Sequence, residues 1–245
     1  MTACDRVDAK AFVSMQRCAL RLRHSLSSAL PYNTTTNSRL LTTMTTQQSK
    51  SDLRKRIKTK LKTLTEDEIK TQSEKAQSLI ISLPQYQSAQ RLSIYLSMPS
   101  SEIQTSSLVS HALQNNKKVF VPYIHHPPTS PRKVIDLLRL SSLADYSSLS
   151  RDSWGIPTLA KEGVEGRENA MGGFGLGTGE MLEVKEEGEH EDVGRKGEDG
   201  TLDVVVMPGV AFDEGMNRLG HGGGFYDGFL SRYCSDGTGK PFLGE

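Results

Sequence analysis

An apolar run broken only by Asp203, LDVVVM at residues 202–207, stops at Pro208-Gly209 and leads into a loop carrying Arg218, Gly220, Gly222, Gly223 and Gly224. A run of this length, rich in β-branched residues and without polar alternation, reads as a strand buried on both faces. Such strands belong to parallel sheets covered by helices, so this segment alone restricts the fold to the α/β class.

The rest of the chain agrees. Leu53, Ile57, Leu61 and Leu64 recur at helical spacing, so a first helix beginning near Lys50 is expected to bury one stripe, with Lys50, Arg54 and Lys58 on a parallel basic stripe. Thr65 and Glu68 form a capping-box pattern for a second helix, which Leu83-Pro84 ends. Residues 91–96, 118–121 and 134–140 read as strands, residues 103–114 as a helix with Leu108, Ala112 and Leu113 inward, and residues 125–128 as a loop. A last helix covers residues 225–233. Strands alternating with helices predict a three-layer α/β/α fold with a mainly parallel, Rossmann-like central sheet and right-handed crossovers.

Two segments stand apart in composition. Between Asp8 and Asp52 there is no acidic residue, while Arg6, Lys10, Arg17, Arg21, Arg23 and Arg39 lie among Ser, Thr and Leu. Residues 1–49 therefore read as a disordered extension, as sequence upstream of a start at Met44, or as a mitochondrial transit peptide within residues 1–43. The location is mitochondrial on the last reading and cytoplasmic otherwise. Residues 161–200 are rich in Gly and Glu and poor in apolar residues, and are expected to be a disordered insertion within a domain spanning residues 50–245. Together these explain a hydrophobic content of only 36%.

Several function classes fall away. A net charge of +1 does not suit a general nucleic-acid or membrane-surface binder. Cys4, Cys18 and Cys234 form no CxxC pair, so neither a zinc site nor a disulfide framework is indicated and a reducing compartment fits. The chemistry concentrates in the glycine loop. Glycines let backbone N–H groups approach a phosphate, the following helix adds its positive end, and Arg218 adds a permanent charge. Asp227 is a hard oxygen ligand where a phosphate-bound Mg²⁺ could sit. The spacing matches neither a Walker A loop nor GxGxxG. On chemistry alone it fits a phosphate cradle or a flexible turn.

The runs PGVAFD and RLGHGGGFYD resemble the signature of the 5-formyltetrahydrofolate cyclo-ligase family, also called methenyltetrahydrofolate synthetase. Lys50-Ser-Asp-Leu-Arg54 resembles its first-helix K-x-x-x-R, residues 91–98 with Glu102-Ile103 its first strand and acidic loop, and Ser153-Trp-Gly-Ile-Pro157 its central element, all in family order. The resemblance implies an ATP-dependent ligase that cyclises 5-formyltetrahydrofolate to 5,10-methenyltetrahydrofolate, acting as a monomer on small molecules. It implies ATP contacts at Lys50, Arg54, Arg218, Leu219, Gly220, His221, Gly222, Gly223, Gly224, Phe225 and Tyr226. Folate contacts fall at Leu96, Glu102, His221, Gly222, Gly223, Gly224 and Phe225, a Mg²⁺ ligand at Asp227, and catalytic roles at Arg218 and Tyr226. From the residues alone, Lys50 and Arg54 fit a solvated helix face, Leu96 fits plain core, and Glu102 fits a helix N-terminus. Trp154 fits either a wall of the folate pocket or a buried core position.

Two departures from the family bear on activity. Gly223 stands where many members have Lys, and the family pattern continues beyond Glu245 with a further strand and a second acidic metal position. The reading that follows is an active cyclo-ligase truncated at its C-terminus. The alternatives are a catalytically impaired folate-binding relative and an ATP-dependent enzyme acting on another small substrate.

Overall fold

The computed structural model describes residues 42–177, 201–215, 217–235 and 241–244. The readings made of residues 1–41 and 178–200 lie outside the described residues. No described helix is long and apolar enough to cross a membrane.

The described residues open with helix α1 (Thr42–Leu61), which starts ahead of the boundary expected near Lys50. It contains neither Gly nor Pro, so nothing interrupts the helix between Thr42 and Leu61. Its apolar stripe is not buried as expected: Leu53 is 43% exposed, and Ile57, Leu61 and the following Leu64 are half-buried. The helix is tied to the body by a polar contact at Arg54, described below.

Helix α2 (Glu66–Ser82) begins at the expected capping box, in which Thr65 Oγ1 accepts from Glu68 N at 3.2 Å and Glu68 accepts from Thr65 N at 2.8 Å. It ends at Leu83, and Pro84 opens the short α3 (Pro84–Ser88), where its missing N–H costs nothing. Strand β1 (Arg91–Ile94), helix α4 (Ser106–Gln114) and strands β2 (Lys118–His125) and β3 (Val134–Arg139) follow. Strand β2 runs past the predicted end and takes in His125, whose Nε2 lies 2.9 Å from the buried Asp136 of β3. After α5 (Leu143–Ser147), strands β4 (Ser150–Arg151) and β5 (Pro157–Thr158) form a small hairpin. The chain continues through β6 (Val204–Val206), the hairpin β7 (Ala211–Phe212) and β8 (Arg218–Leu219), helix α6 (Phe225–Tyr233) and β9 (Phe242–Gly244).

The central sheet has the order β3-β2-β1-β6-β9. All neighbouring pairs are parallel except β2–β3, which is antiparallel at one edge. Val204, Val205 and Val206 are all buried, as a strand covered on both faces requires. The α4 crossover carries the chain from β1 outward to β2, and the α6 crossover carries it from β6 outward to β9. Right-handed crossovers running in opposite directions place these helices on opposite faces, which yields the α/β/α layering. The order reverses between β1 and β6, so their carboxyl ends open a crevice there, the usual place for a ligand in such sheets.

The boundary predicted for the insertion is corrected in its first part. Residues 161–177 are packed: Val164 and Ala170 are buried, Ala170 N donates to Leu137 O at 2.9 Å, and Asn169 Nδ2 donates to Gly175 O at 2.8 Å. Few apolar residues suggested no structure, but polar side chains and backbone bonds hold this segment to β3 instead.

Candidate active site

Two loops meet at the crevice, one after β1 and one after β6. In the first, Glu102 is fixed by accepting a hydrogen bond from Met98 N at 2.9 Å through Oε2. Gln104 Nε2 braces the same loop by donating to Met98 O and Glu102 O. Tyr95, just past β1, is 7% exposed and donates from its hydroxyl to Ile103 O at 2.8 Å. Burial, and then the neighbouring Glu102 and Tyr226, push its phenol well above the ordinary tyrosine range.

In the second loop, the hairpin β7–β8 turns on Asp213, whose carboxylate accepts from Asn217 N at 2.9 Å, and delivers Arg218 to the crevice. Arg218 donates from Nη1 to Pro208 O at 3.1 Å and from Nη2 to Asp227 Oδ1 at 2.6 Å. The glycine loop is fastened from outside the sheet: Arg54 on α1 donates from Nε to Gly220 O at 2.8 Å. A Cβ on Gly222, where φ is 109°, would stand 3.7 Å from that guanidinium. Gly224, at φ 66°, caps α6 in a conformation that side chains disfavour. The free N–H groups of the first turn thereby face the loop.

The loops touch through His221, whose Nε2 lies 3.7 Å from Glu102 Oε1. Tyr226 sits beneath them, 8% exposed, with its hydroxyl buried and without a hydrogen-bond partner among the described residues. Burial pushes its phenol strongly upward, with Arg218 opposing and Glu102 reinforcing the shift, so it is a neutral donor at physiological pH. An orphaned buried hydroxyl of this kind is costly and points to a ligand or water that completes it.

Of the residues predicted for the site, Arg54, Glu102, Arg218, Gly220, His221, Gly222, Gly223, Gly224, Phe225, Tyr226 and Asp227 lie in these two loops and their anchors. Leu219 precedes Gly220 on β8, half-buried. Lys50 lies one turn before Arg54 on α1 and is exposed. Leu96 is 6% exposed and belongs to the core cluster at the end of β1. Trp154 is corrected as a core candidate, since it is 71% exposed at the tip of the β4–β5 hairpin. Asp152 holds that tip by accepting from Trp154 N and Ile156 N, and a Cβ on Gly155 would stand 2.7 Å from Pro99 of the β1 loop. The Trp is thus a projecting rim residue beside the crevice. Tyr95 reads in the sequence as one more strand residue; its place at a carboxyl strand end is the signal that marks it for the site.

Among the described residues no three His, Cys, Asp or Glu side chains cluster as a metal cage. Asp227, exposed beside the glycine loop, fits a different kind of site. Mg²⁺ is commonly held by one or two carboxylates together with substrate phosphates and water.

The model of the 5-formyltetrahydrofolate cyclo-ligase family matches residues 46–242. The 5-formyltetrahydrofolate cyclo-ligase of Mus musculus is 28% identical over 199 residues, covering 81% of this chain and 82% of the relative. A Caenorhabditis elegans protein described as a probable 5-formyltetrahydrofolate cyclo-ligase is 30% identical over 187 residues, covering 76% of this chain and 75% of the relative. Among solved structures, the Aquifex aeolicus 5,10-methenyltetrahydrofolate synthetase aligns with a TM-score of 0.50 and 26% identity, covering 75% of this chain and 72% of that one.

Proposed function

The chain belongs to the 5-formyltetrahydrofolate cyclo-ligase family, and from that membership we propose that it converts 5-formyltetrahydrofolate and ATP into 5,10-methenyltetrahydrofolate, ADP and phosphate. The observation that carries this reading is the meeting of the glycine loop with the β1 loop at the crevice, with Arg218, Tyr226 and Glu102 converging there.

The N5-formyl carbon is amide-like and a poor electrophile. Its oxygen attacks the γ-phosphorus of ATP, the bond to the β-phosphate oxygen breaks, and ADP leaves. N10 then attacks the activated carbon and loses its proton, the C–O bond breaks, and phosphate departs as the ring closes. The nucleophiles belong to the substrates, so the protein's work is positioning and charge compensation. Arg218 and the N–H groups of residues 220–224 hold the polyphosphate, with Arg54 fixing the loop. Glu102 and His221 contact the folate, and the Tyr226 hydroxyl donates to an oxygen of the bound substrates. Asp227 would hold Mg²⁺, which supplies charge neutralisation on the phosphates when bound.

The test is to mix the folded protein with ATP, Mg²⁺ and 5-formyltetrahydrofolate and follow the near-ultraviolet absorbance of the methenyl product together with ADP. One ADP per methenyl product is expected. Folate binding without ADP release would assign a binding protein instead, and an absorbance unchanged by ATP would sink the proposal.

A further inference from the structure

The side chain suited to a metal and the side chain suited to a phosphate are bonded to each other. Arg218 Nη2 and Asp227 Oδ1 lie 2.6 Å apart; the Arg218 side chain is 12% exposed, while Asp227 is 74% exposed. Arg218 is also fixed from behind by Pro208 O. It therefore stays in place while the carboxylate opposite it remains open to solvent. A metal-free polyphosphate reaching this loop has to take Arg218 from a carboxylate and then lie beside that negative charge. A metal-complexed polyphosphate brings the carboxylate a cation to bind, so Asp227 exchanges Arg218 for the metal and Arg218 turns to the phosphate oxygens.

We propose that Asp227 is a specificity-determining residue: by occupying Arg218 in the free protein, it makes the glycine loop select metal-complexed nucleotide over the free anion. This rests on the reading that the glycine loop holds a nucleotide. It goes beyond a metal-ligand role, because a residue that only binds metal has no effect on metal-free nucleotide.

The experiment is equilibrium binding of ATP, by calorimetry or dialysis, in EDTA and in excess Mg²⁺. The wild-type chain is expected to bind more tightly with Mg²⁺. Asp227→Asn is expected to bind metal-free ATP about twofold to fivefold more tightly than wild type, the scale of one partly exposed ion pair, and to lose the gain from Mg²⁺. Asp227→Ala, which cannot replace the contact with an amide, should behave alike, and both should keep the wild-type melting temperature to within a few degrees, since position 227 is exposed. Two controls isolate the pair. Glu214→Gln removes the same charge from the exposed β7–β8 turn and should leave metal-free binding unchanged. In an Arg218→Ala background, adding Asp227→Asn should bring a clearly smaller gain than it does with Arg218 present. Unchanged or weaker metal-free binding by Asp227→Asn overturns the inference and leaves the proposed function standing, as does an equal gain from Glu214→Gln. A wild-type chain that binds ATP under neither condition removes the nucleotide reading itself, and this inference with it.

Discussion

Tyr226 is the residue whose position is hardest to explain by stability. Its ring packs in the core while its hydroxyl lies buried without a partner among the described residues. Leaving such a group unsatisfied costs roughly 1–3 kcal/mol, and removing it returns that cost. Tyr226→Phe is therefore expected to melt at the same temperature as wild type or higher, while turnover falls at least about tenfold, equivalent to ~1.4 kcal/mol of transition-state stabilisation. Thermal unfolding and steady-state kinetics on one preparation check both halves; a lower melting temperature with full turnover would assign Tyr226 to the core alone. At this scale the sequence was uneven. Arg218 and Asp227 could be picked out because polar residues among glycines have little structural reason to be there, whereas His221 came only with the family resemblance. Trp154 could not be placed, because an exposed rim and a buried core make the same letter in one sequence. The Arg218–Asp227 pair was hidden too, since it depends on how the loop folds back onto the first turn of α6.

Elements were legible where local signals were self-contained. Helix α6 occupies the nine residues Phe225–Tyr233 read from the sequence, and α2 starts at its capping box, because both are set by adjacent residues. In helix α1 the periodic Leu and Ile residues imply a buried face, whereas whether that face meets the core is a matter of tertiary packing. With Leu53 exposed, the bond from Arg54 to Gly220 O gives α1 a tie to the body that its apolar face does not. Arg54→Ala should therefore loosen two elements at once: amides of residues 50–61 should exchange faster with solvent, and KM for ATP should rise about tenfold, since a loop no longer held in register meets the nucleotide less often in its productive shape. The core helices α4 and α6 should keep their protection. Unaltered exchange in α1 would show that the contact does not hold the helix.

At the scale of the molecule, the two edges of the sheet do different work. The carboxyl ends of β1 and β6 carry the crevice, and the opposite edge carries a charge network. There Glu168, from the segment expected to be disordered, accepts from Arg91 Nη1 at the start of β1 and from Arg139 Nη1 at 2.9 Å at the end of β3, with Lys118 Nζ at 4.0 Å. The Arg91 side chain is 8% exposed and its Nε is buried without a partner among the described residues, so this cation depends on Glu168. Burial pushes the Glu168 carboxyl upward, but the hydrogen bonds from Arg91 and Arg139 and the charges of Arg91 and Lys118 outweigh it and hold it below the ordinary glutamate range. A carboxyl depressed in the folded state adds stability at pH values above its unfolded pKa, and that stability is lost as pH falls through the folded value. Glu168→Gln should cost about 2–3 kcal/mol at neutral pH, the scale of charged hydrogen bonds, or about 5–10 °C in melting temperature for a domain of this size. It should also flatten the decline in stability as pH falls through and below the ordinary glutamate range, where the unfolded chain takes up this proton ahead of the folded one. Some acid sensitivity should remain, because hydrogen bonds from Arg167 likewise hold Asp145 below the usual range. Turnover at 25 °C should be close to wild type, since the network lies across the sheet from Arg218 and Tyr226. Melting curves from pH 3 to 7 decide it: a wild-type melting temperature with the wild-type acid limb would mean that the network contributes no net stability, and a selective loss of turnover would mean that the two edges are coupled.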